Sequence, residues 1–384
     1  MTDFFLENIN SAIQKRLLFV TGSRADFGKI EPLAKASVKA GLDITFFITG
    51  MHMMKRYGET RLEIKRFVNA DFFEFVNQKE GDNLDFILSK TILGLSDFLH
   101  EHRPDLVVIH GDRVEALAAS IACAFNYIPS AHVEGGEVSG TIDESIRHCN
   151  TKLCTTHFVS SEEARNRVLM LGENSTQIFN IGSPELDVHL NPSGVSIEEV
   201  KSYYEIPFED YGIVIFHPIT SERDTIRTQA LSFFSALEAS KKNFVVISPN
   251  NDPGTDEIFE VIEKLPLKRF RLIPSMRFNY FSELMKCASI IVGNSSAGVR
   301  EAPFIGLPSI NVGTRQNKRG QSASTINCEI NDIENLHALI ERHWAKRYKP
   351  DYSFGNGFAS EKFVQILLNP NFWKINMQKE FSSK

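Results

Sequence analysis

The sequence predicts an α/β protein of two Rossmann-like domains facing across a cleft. Three observations lead there. An apolar run at residues 16–20 ends in a Gly-containing turn, and a helical pattern follows with Ile30, Leu33, Ala34 and Val38 on one face, which is how an α/β unit opens. The strand–helix alternation continues to the turn-forming cluster Asn191-Pro192-Ser193-Gly194 and then starts again. A chain of 384 residues is also too long for one compact core and suits two. The expected divisions are 1–190 for an N-terminal domain, 191–360 for a C-terminal domain, and 361–384 for a helical tail, with a return crossing to the first domain as an option.

The first strand leads into Thr21-Gly22-Ser23-Arg24. Arg24 falls at the carboxyl end of that strand, the edge where open parallel sheets bind ligands. Its guanidinium either pairs with phosphate in bidentate fashion or caps the sheet end. Gly22 and Gly28 are too far apart for a dinucleotide fingerprint, so no nicotinamide cofactor is expected. Residues 43–48 make the next strand, closed by Thr49-Gly50-Met51-His52, with His52 read as a loop histidine. Residues 61–97 read as largely helical. Pro104 introduces 106–109, a continuous apolar run of the kind central parallel strands show. It ends in His110-Gly111-Asp112-Arg113, ahead of an Ala-rich helix over 114–125. Asp112 is either a helix N-cap or a functional acid, and the flanking His110 and Arg113 favour the second.

Residues 128–133 form another strand, and the densest acidic stretch of the chain follows: Glu134, Glu137, Asp143 and Glu144, then Arg147 and His148. Gly135 and Gly136 permit a turn that returns these acids over the sheet. Asp143 reads as the start of a helix, with a capping role open to it. His148 is either a participant in proton transfer or an oriented structural histidine. Three successive strand ends thus deliver Arg24, Asp112 and Glu134 to one edge of one sheet. Residues 156–160 and 177–181 are two further strands.

In the second half, strands at 212–216, 244–248, 270–273, 289–293 and 308–312 are expected. Their carboxyl ends carry His217, Asn250, the Ser295-Ser296 turn and Arg315. The serine turn offers hydroxyls and N–H groups at a helix N-terminus, a setting that favours a diphosphate; the alternative is an ordinary N-cap. Glu301, about one turn on, either accepts from a ribose or is a solvent-facing helix acid. Residues 361–381 read as mostly helical, broken at Asn369-Pro370.

Composition narrows the class. With 42% hydrophobic and 23% charged residues the chain is ordinary for a soluble globular protein, and a net charge of −6 argues against a general nucleic-acid binder. No apolar run approaches the ~18 residues a membrane helix needs, and residues 1–14 lack the pattern of a secretory signal. Asn174-Ser175-Thr176 matches a glycosylation sequon, which means little without such a signal. Five scattered cysteines, at 123, 149, 154, 287 and 328, fit reduced thiols in a cytoplasmic protein rather than disulfides or a metal site. Two α/β domains with facing carboxyl edges make a cleft suited to a nucleotide sugar.

Several motifs resemble one family. The HGDR tetrad ending at Arg113, the HVEGGEVSGTIDESIRH run, HPIT from His217, GNSSAGVREAP from Gly293 and GTRQ from Gly313 resemble UDP-N-acetylglucosamine 2-epimerases. With TGSRADFGK in front, the chain resembles the hydrolysing branch that makes N-acetylmannosamine for sialic acid. The resemblance runs from about Arg16 over nearly the whole chain, and motifs this long in this order are highly specific. It implies the glycosyltransferase-B fold, no metal or nicotinamide, UDP-N-acetylglucosamine as substrate, and a homodimer or homotetramer. It also places Asp112, Glu134 and Asp143 on the family's acidic catalytic positions. Arg24, Arg113, His217, Asn250, Ser295, Ser296, Glu301 and Arg315 fall on its UDP-contacting positions. Ser23 stands where Thr is frequent and Glu144 where Asp is frequent, which leaves open which neighbouring acid carries the proton. Other readings stay on the table: a non-hydrolysing epimerase, a hydrolysing enzyme for a 2,4-diacetamido-6-deoxy sugar nucleotide, a glycosyltransferase, and a catalytically silent nucleotide-sugar sensor.

Overall fold

A computed structural model describes residues 15–139, 142–190, 194–250, 252–317, 319 and 322–382. The expected lead-in at 1–14 and three residues of the linker turn, Asn191-Pro192-Ser193, lie outside the described residues. The chain divides into two compact units. The first comprises Met1–Glu137, Asp143–Asp187 and Gly355–Lys384; the second comprises Val138–Ile142 and Val188–Phe354.

The first unit holds a seven-stranded parallel sheet. Its strands are β1 (Arg16–Thr21), β2 (Asp43–Ile48), β3 (Asp71–Glu74), β4 (Leu106–His110), β5 (Ser130–Val133), β6 (Thr156–Val159) and β7 (Ile178–Asn180), in the spatial order β3-β2-β1-β4-β5-β6-β7. This is the doubly wound order, and it reverses between β1 and β4. Those two strands pair in register, Val20 beside Ile109, and β4 pairs with β5 so that His110 sits beside Val133. The three carboxyl ends are therefore nearly flush. Side chains alternate between two cores, as the period of a strand requires. Leu17 and Phe19 face one cluster with Ile30, Leu33 and Phe158, whereas Leu18 and Val20 face another with Leu95, Leu99 and Ala119.

The second unit repeats the plan with β8 (Gly212–Ile215), β9 (Phe244–Ile247), β10 (Phe270–Ile273), β11 (Ile290–Gly293), β12 (Ser309–Val312) and β13 (Thr325–Cys328), ordered β10-β9-β8-β11-β12-β13. All neighbours are parallel. Val214 and Phe216 enter one cluster, Ile213 and Ile215 the other. Its reversal point lies between β8 and β11. Both sheets are thus Rossmann-like.

Two expectations are corrected. Residues 61–97 are not one helical region: a short helix Arg61–Ile64 is followed by β3 and then by the helix Leu84–His102. β3 is an edge strand whose residues alternate exposed and half-buried, so it lacks the continuous apolar run of its neighbours. The tail is helical only over Ala359–Leu367, and the segment beyond it is turns and irregular chain. That helix caps the first core, with the Phe363 ring 4.8 Å from Phe158. Its first two amides, of Ala359 and Ser360, donate to the Asp187 carboxylate at 2.9 and 2.7 Å.

Candidate active site

In the first unit the site is built on the ends of β1, β4 and β5. Ser23 ends the β1 turn as N-cap of the helix Arg24–Lys39, its hydroxyl accepting from the Asp26 amide. That helix presents three groups. Arg24 donates its Nε to Glu63 at 2.7 Å, so the guanidinium is half-buried in an ion pair and not merely a sheet cap. Asp26 is buried and accepts from the His110 Nδ1–H at 2.9 Å and from the Gly22 amide at 2.9 Å. Lys29, one turn on, reaches Glu134 at 3.4 Å and Glu185 at 3.2 Å.

Glu134 follows β5 directly. Its φ is +65°, a left-handed backbone that non-glycine residues seldom adopt, and its amide donates to the Phe158 carbonyl at 2.8 Å. The residue is 4% exposed. Ser183 donates to it at 2.6 Å, and His110 Nε2 stands 3.2 Å away. His110 thus bridges two carboxylates. Burial pulls its imidazole down, but the Glu134 charge and the Asp26 hydrogen bond outweigh burial and hold it above its ordinary 6.5. Burial pushes Asp26 up, and the hydrogen bond and charge of His110 more than reverse this, leaving it below 3.8.

Asp112 follows Gly111 in the β4 turn and forms an ion pair with Arg147, which is 2% exposed. Arg147 also donates to the Glu137 carbonyl at 3.1 Å. The Gly111 carbonyl is itself fixed twice, by His132 Nε2–H at 2.8 Å and by Asn150 at 3.1 Å. His132 is fully buried and its imidazole is depressed to about 3 by burial, so it is a neutral structural donor. Arg113 is the N-cap residue of Val114–Phe125 and pairs with Glu115 at 3.3 Å. Gly136, at φ +77°, lies so close to the Ala164 carbonyl that a β-carbon would sit 2.2 Å from its oxygen, which explains the glycine in this turn.

Asp143 is the first residue of the helix Asp143–Leu153 rather than its cap, a carboxylate in the first turn where the helix dipole favours one. His148, on the same helix, is half-exposed and lies 3.7 Å from Glu144 one turn earlier. His52 is not a loop histidine. It is fully buried in a short 3₁₀ turn between the hydroxyls of Thr21 and Thr60, at 2.9 and 2.6 Å, and burial depresses it to about 3.

In the second unit Asn294 organises the strand ends. Its side chain accepts from the His217 amide at 2.7 Å and donates to the His217 carbonyl at 2.8 Å, tying the ends of β8 and β11 together. Its own carbonyl accepts from Gln316 at 2.8 Å and Arg315 at 3.3 Å, which ties in β12. His217 Nδ1 accepts from the Asn250 amide at 3.1 Å, so a neutral His217 carries its proton on Nε2. The serine turn differs from expectation. Ser295 caps a helix of only four residues, Ser296–Val299, and Arg300 departs from helical geometry before Glu301–Phe304 begins. Glu301 is not a solvent-facing acid: it is 3% exposed and accepts from His189 Nε2 at 2.8 Å.

Among the described residues no group of three or more His, Cys, Asp or Glu side chains is disposed to hold a metal ion, and no helix is long and apolar enough to cross a membrane. Residues 35–368 match the family model described as UDP-N-acetylglucosamine 2-epimerase.

The chain belongs to the UDP-N-acetylglucosamine 2-epimerase family.

A UDP-N-acetylglucosamine 2-epimerase of Neisseria meningitidis serogroup B is 42% identical over 96% of this chain and 98% of its own. A hydrolysing UDP-N,N'-diacetylbacillosamine 2-epimerase of Legionella pneumophila is 32% identical over 92% of this chain and 95% of its own. The polysialic acid biosynthesis protein P7 of Escherichia coli is 31% identical over 82% and 83%. Among solved structures, the Methanocaldococcus jannaschii UDP-GlcNAc 2-epimerase in complex with UDP-GlcNAc and UDP superposes with a TM-score of 0.78, over 92% of this chain and 99% of that one, at 22% identity. The fold is that of the 2-epimerases. Within it, Asp26, Lys29, Ser183, Glu185 and Asn294 complete the clusters, and reading the sequence alone gave them no role. The available signal was position: each lies in, or one helical turn beyond, the turn that follows a strand.

Proposed function

We propose that this 2-epimerase is of the hydrolysing kind and converts UDP-N-acetylglucosamine and water to N-acetylmannosamine and UDP, supplying a sialic acid pathway in the cytoplasm without metal or nicotinamide. The observation that carries the reading is Glu134, a buried carboxylate held between His110 and Lys29 at the end of β5, one strand over from Asp112. A carboxylate so placed suits proton exchange with carbon, because burial and hydrogen-bonding partners bias its charge state. The relative named for UDP-N-acetylglucosamine supports the substrate, and the relatives named as hydrolysing or for polysialic acid synthesis support the branch. The five cysteines are free thiols, in keeping with a reducing compartment.

The C2 hydrogen of the substrate is not next to a carbonyl, so direct enolate formation is closed to it. In the proposed course a base takes the C2 proton, its bonding pair forms the C1–C2 double bond, and the C1–O bond breaks to release UDP. Water then adds its oxygen to C1 of the 2-acetamidoglucal and gives up a proton to the protein. An acid returns a proton to C2 on the opposite face. Two faces need two acid/base groups, and we assign them among Asp112, Glu134 and Asp143, with His148 assisting. The nucleotide is assigned to His217, Asn250, Ser295, Ser296, Glu301 and Arg315, with Arg24 and Arg113 as phosphate partners. The neutral His217 has its Nε2–H as donor to the leaving diphosphate, where charge develops. The Legionella relative supports a second reading, the same chemistry on a 2,4-diacetamido sugar nucleotide.

Incubation with UDP-N-acetylglucosamine in deuterated water, with EDTA present, tests this. The expected products are UDP and free N-acetylmannosamine with deuterium at C2. UDP-N-acetylmannosamine as the stable product would sink the hydrolysing reading, and retained hydrogen at C2 would sink the elimination. Turnover only of the diacetamido substrate would select the second reading.

A further inference from the structure

Glu185 was assigned nothing by its sequence position, yet it is the most deeply buried carboxylate near the site. It opens the short helix Glu185–Leu190, is 0% exposed, and lies 3.2 Å from Lys29. The same ammonium is 3.4 Å from Glu134. We propose that Glu185 is a positioning residue of the reaction, which shares Lys29 with Glu134 and thereby keeps Glu134 able to take up and release a proton. The proposal rests on the reading of Glu134 as an acid/base group.

The argument is one of charge in a place that water scarcely reaches. Around Glu134 stand Lys29 from the first helix, His110 from the end of β4, Asp26 beyond His110, Glu185 beyond Lys29, and the neutral His132. Lys29 and His110 are cations that meet Glu134 when His110 is protonated, and the buried Glu185 meets the same Lys29. A second anion beside the shared ammonium favours uptake of a proton by Glu134. Asp26 is held ionised by His110, and Glu134 and Glu185 share one ammonium. Take Glu185 away, and Lys29 no longer divides itself between two carboxylates. One negative charge fewer then stands near Glu134, which holds its own charge to lower pH. A carboxylate biased in that way is a weaker base and is less often protonated to serve as an acid. The Ser183 hydroxyl, which donates to Glu134 at 2.6 Å, favours the ionised form in either case and does not supply the counterweight.

The test is the pH dependence of kcat/KM for UDP release by the full chain, in the wild type and in Glu185→Gln and Glu185→Asp. The limb displaced by Glu134→Asp identifies the group. Expected is a shift of that limb to lower pH by about one unit in Glu185→Gln, the size a single neighbouring charge gives a carboxylate. Glu185→Asp, whose shorter carboxylate stands off Lys29, should fall between wild type and Gln, and KM at the optimum should stay within about twofold. A limb at wild-type pH in either folded variant overturns the proposal, whatever happens to thermal stability, because a purely structural counter-ion would lower Tm and leave the limb alone. Should Glu185→Gln not fold, the Asp variant decides by itself. Full turnover by Glu134→Gln would instead overturn the underlying reading, so the two failures are distinguishable.

Discussion

Arg147 is a buried cation held in two places, by the Asp112 carboxylate and by the Glu137 carbonyl. It therefore links the turn after β4 to the turn after β5, and Asp112 owes its position to it. Removing the arginine would leave a partly buried carboxylate without that partner.

Arg147→Met should lower the unfolding free energy by about 2 to 3 kcal/mol, somewhat below the ~3–5 kcal/mol of a fully buried pair, because Asp112 keeps access to water. It should also lower kcat on the order of a hundredfold, as Asp112→Asn and Glu134→Gln should by removing a proposed acid/base group. Arg147→Lys should recover part of the stability but less of the activity, since one ammonium cannot serve both acceptors in the same geometry. Urea titrations and steady-state kinetics on the same preparations separate the two effects. Wild-type kcat in Arg147→Met would refute the link.

Two buried histidines set an acid limit on stability. His52 and His132 are both depressed to about 3 by burial, against an ordinary 6.5. Between those values the unfolded chain binds protons that the folded chain refuses, so stability is full above about 6.5 and declines as pH falls toward 3. His110 works in the opposite sense. Its folded value is raised, so its contribution is complete below 6.5 and lost as pH rises through the folded value. Stability measured from pH 8 to pH 4.5 should therefore fall on the acid side, with a shallower slope in His52→Gln. An equal slope in that variant would show that His52 is not among the groups responsible.

The C-terminal segment should matter for a helix far from it in sequence. Lys379 donates to the carbonyls of Thr151, Lys152 and Cys154 at 3.0, 2.8 and 2.6 Å, closing the carboxyl end of the helix Asp143–Leu153. Cations are favoured at that end of the dipole. It also pairs with Glu173, whose carboxyl is brought down to about 2: burial alone would raise it, and the partners His157, Lys152 and Lys379 more than reverse that. Lys379→Met should cost on the order of 3 kcal/mol at neutral pH. The loss should shrink as pH falls below 4.5, where the unfolded Glu173 is already protonated. Because the same helix carries Asp143 at its other end and His148 at its middle, hydrogen exchange along it should rise in the variant. Unchanged exchange would confine the effect of Lys379 to its own neighbourhood.

How much of this could be read from the chain follows from where each element sits. β4, β5, β8 and β11 are buried throughout or nearly so, and their continuous apolar runs announced them. β3 and β13 each lie at one edge of a sheet, and neither has a continuous buried run, so neither announces itself. Glu134 and Asp112 stood out because an acid directly after an apolar run is unusual. Lys29 and Glu185 did not, because their meaning arises only when parallel pairing brings the first helix, β5 and the helix after β7 to one end of the sheet. The break at Arg300 was equally hidden: nothing in a Ser-Ser-Ala-Gly sequence predicts that the helix ends after one turn.

The backbone at Glu134 has a consequence for how such an enzyme changes over generations. A left-handed φ admits asparagine, aspartate or glycine with ease and β-branched residues hardly at all. The residues that this bend welcomes either lack a carboxylate or carry one that is a methylene shorter. The acid itself is thus close to immovable, and adaptation to a new sugar or a new working pH would have to run through its neighbours, Ser183, Lys29 and Glu185, which sit on ordinary backbone and can be exchanged.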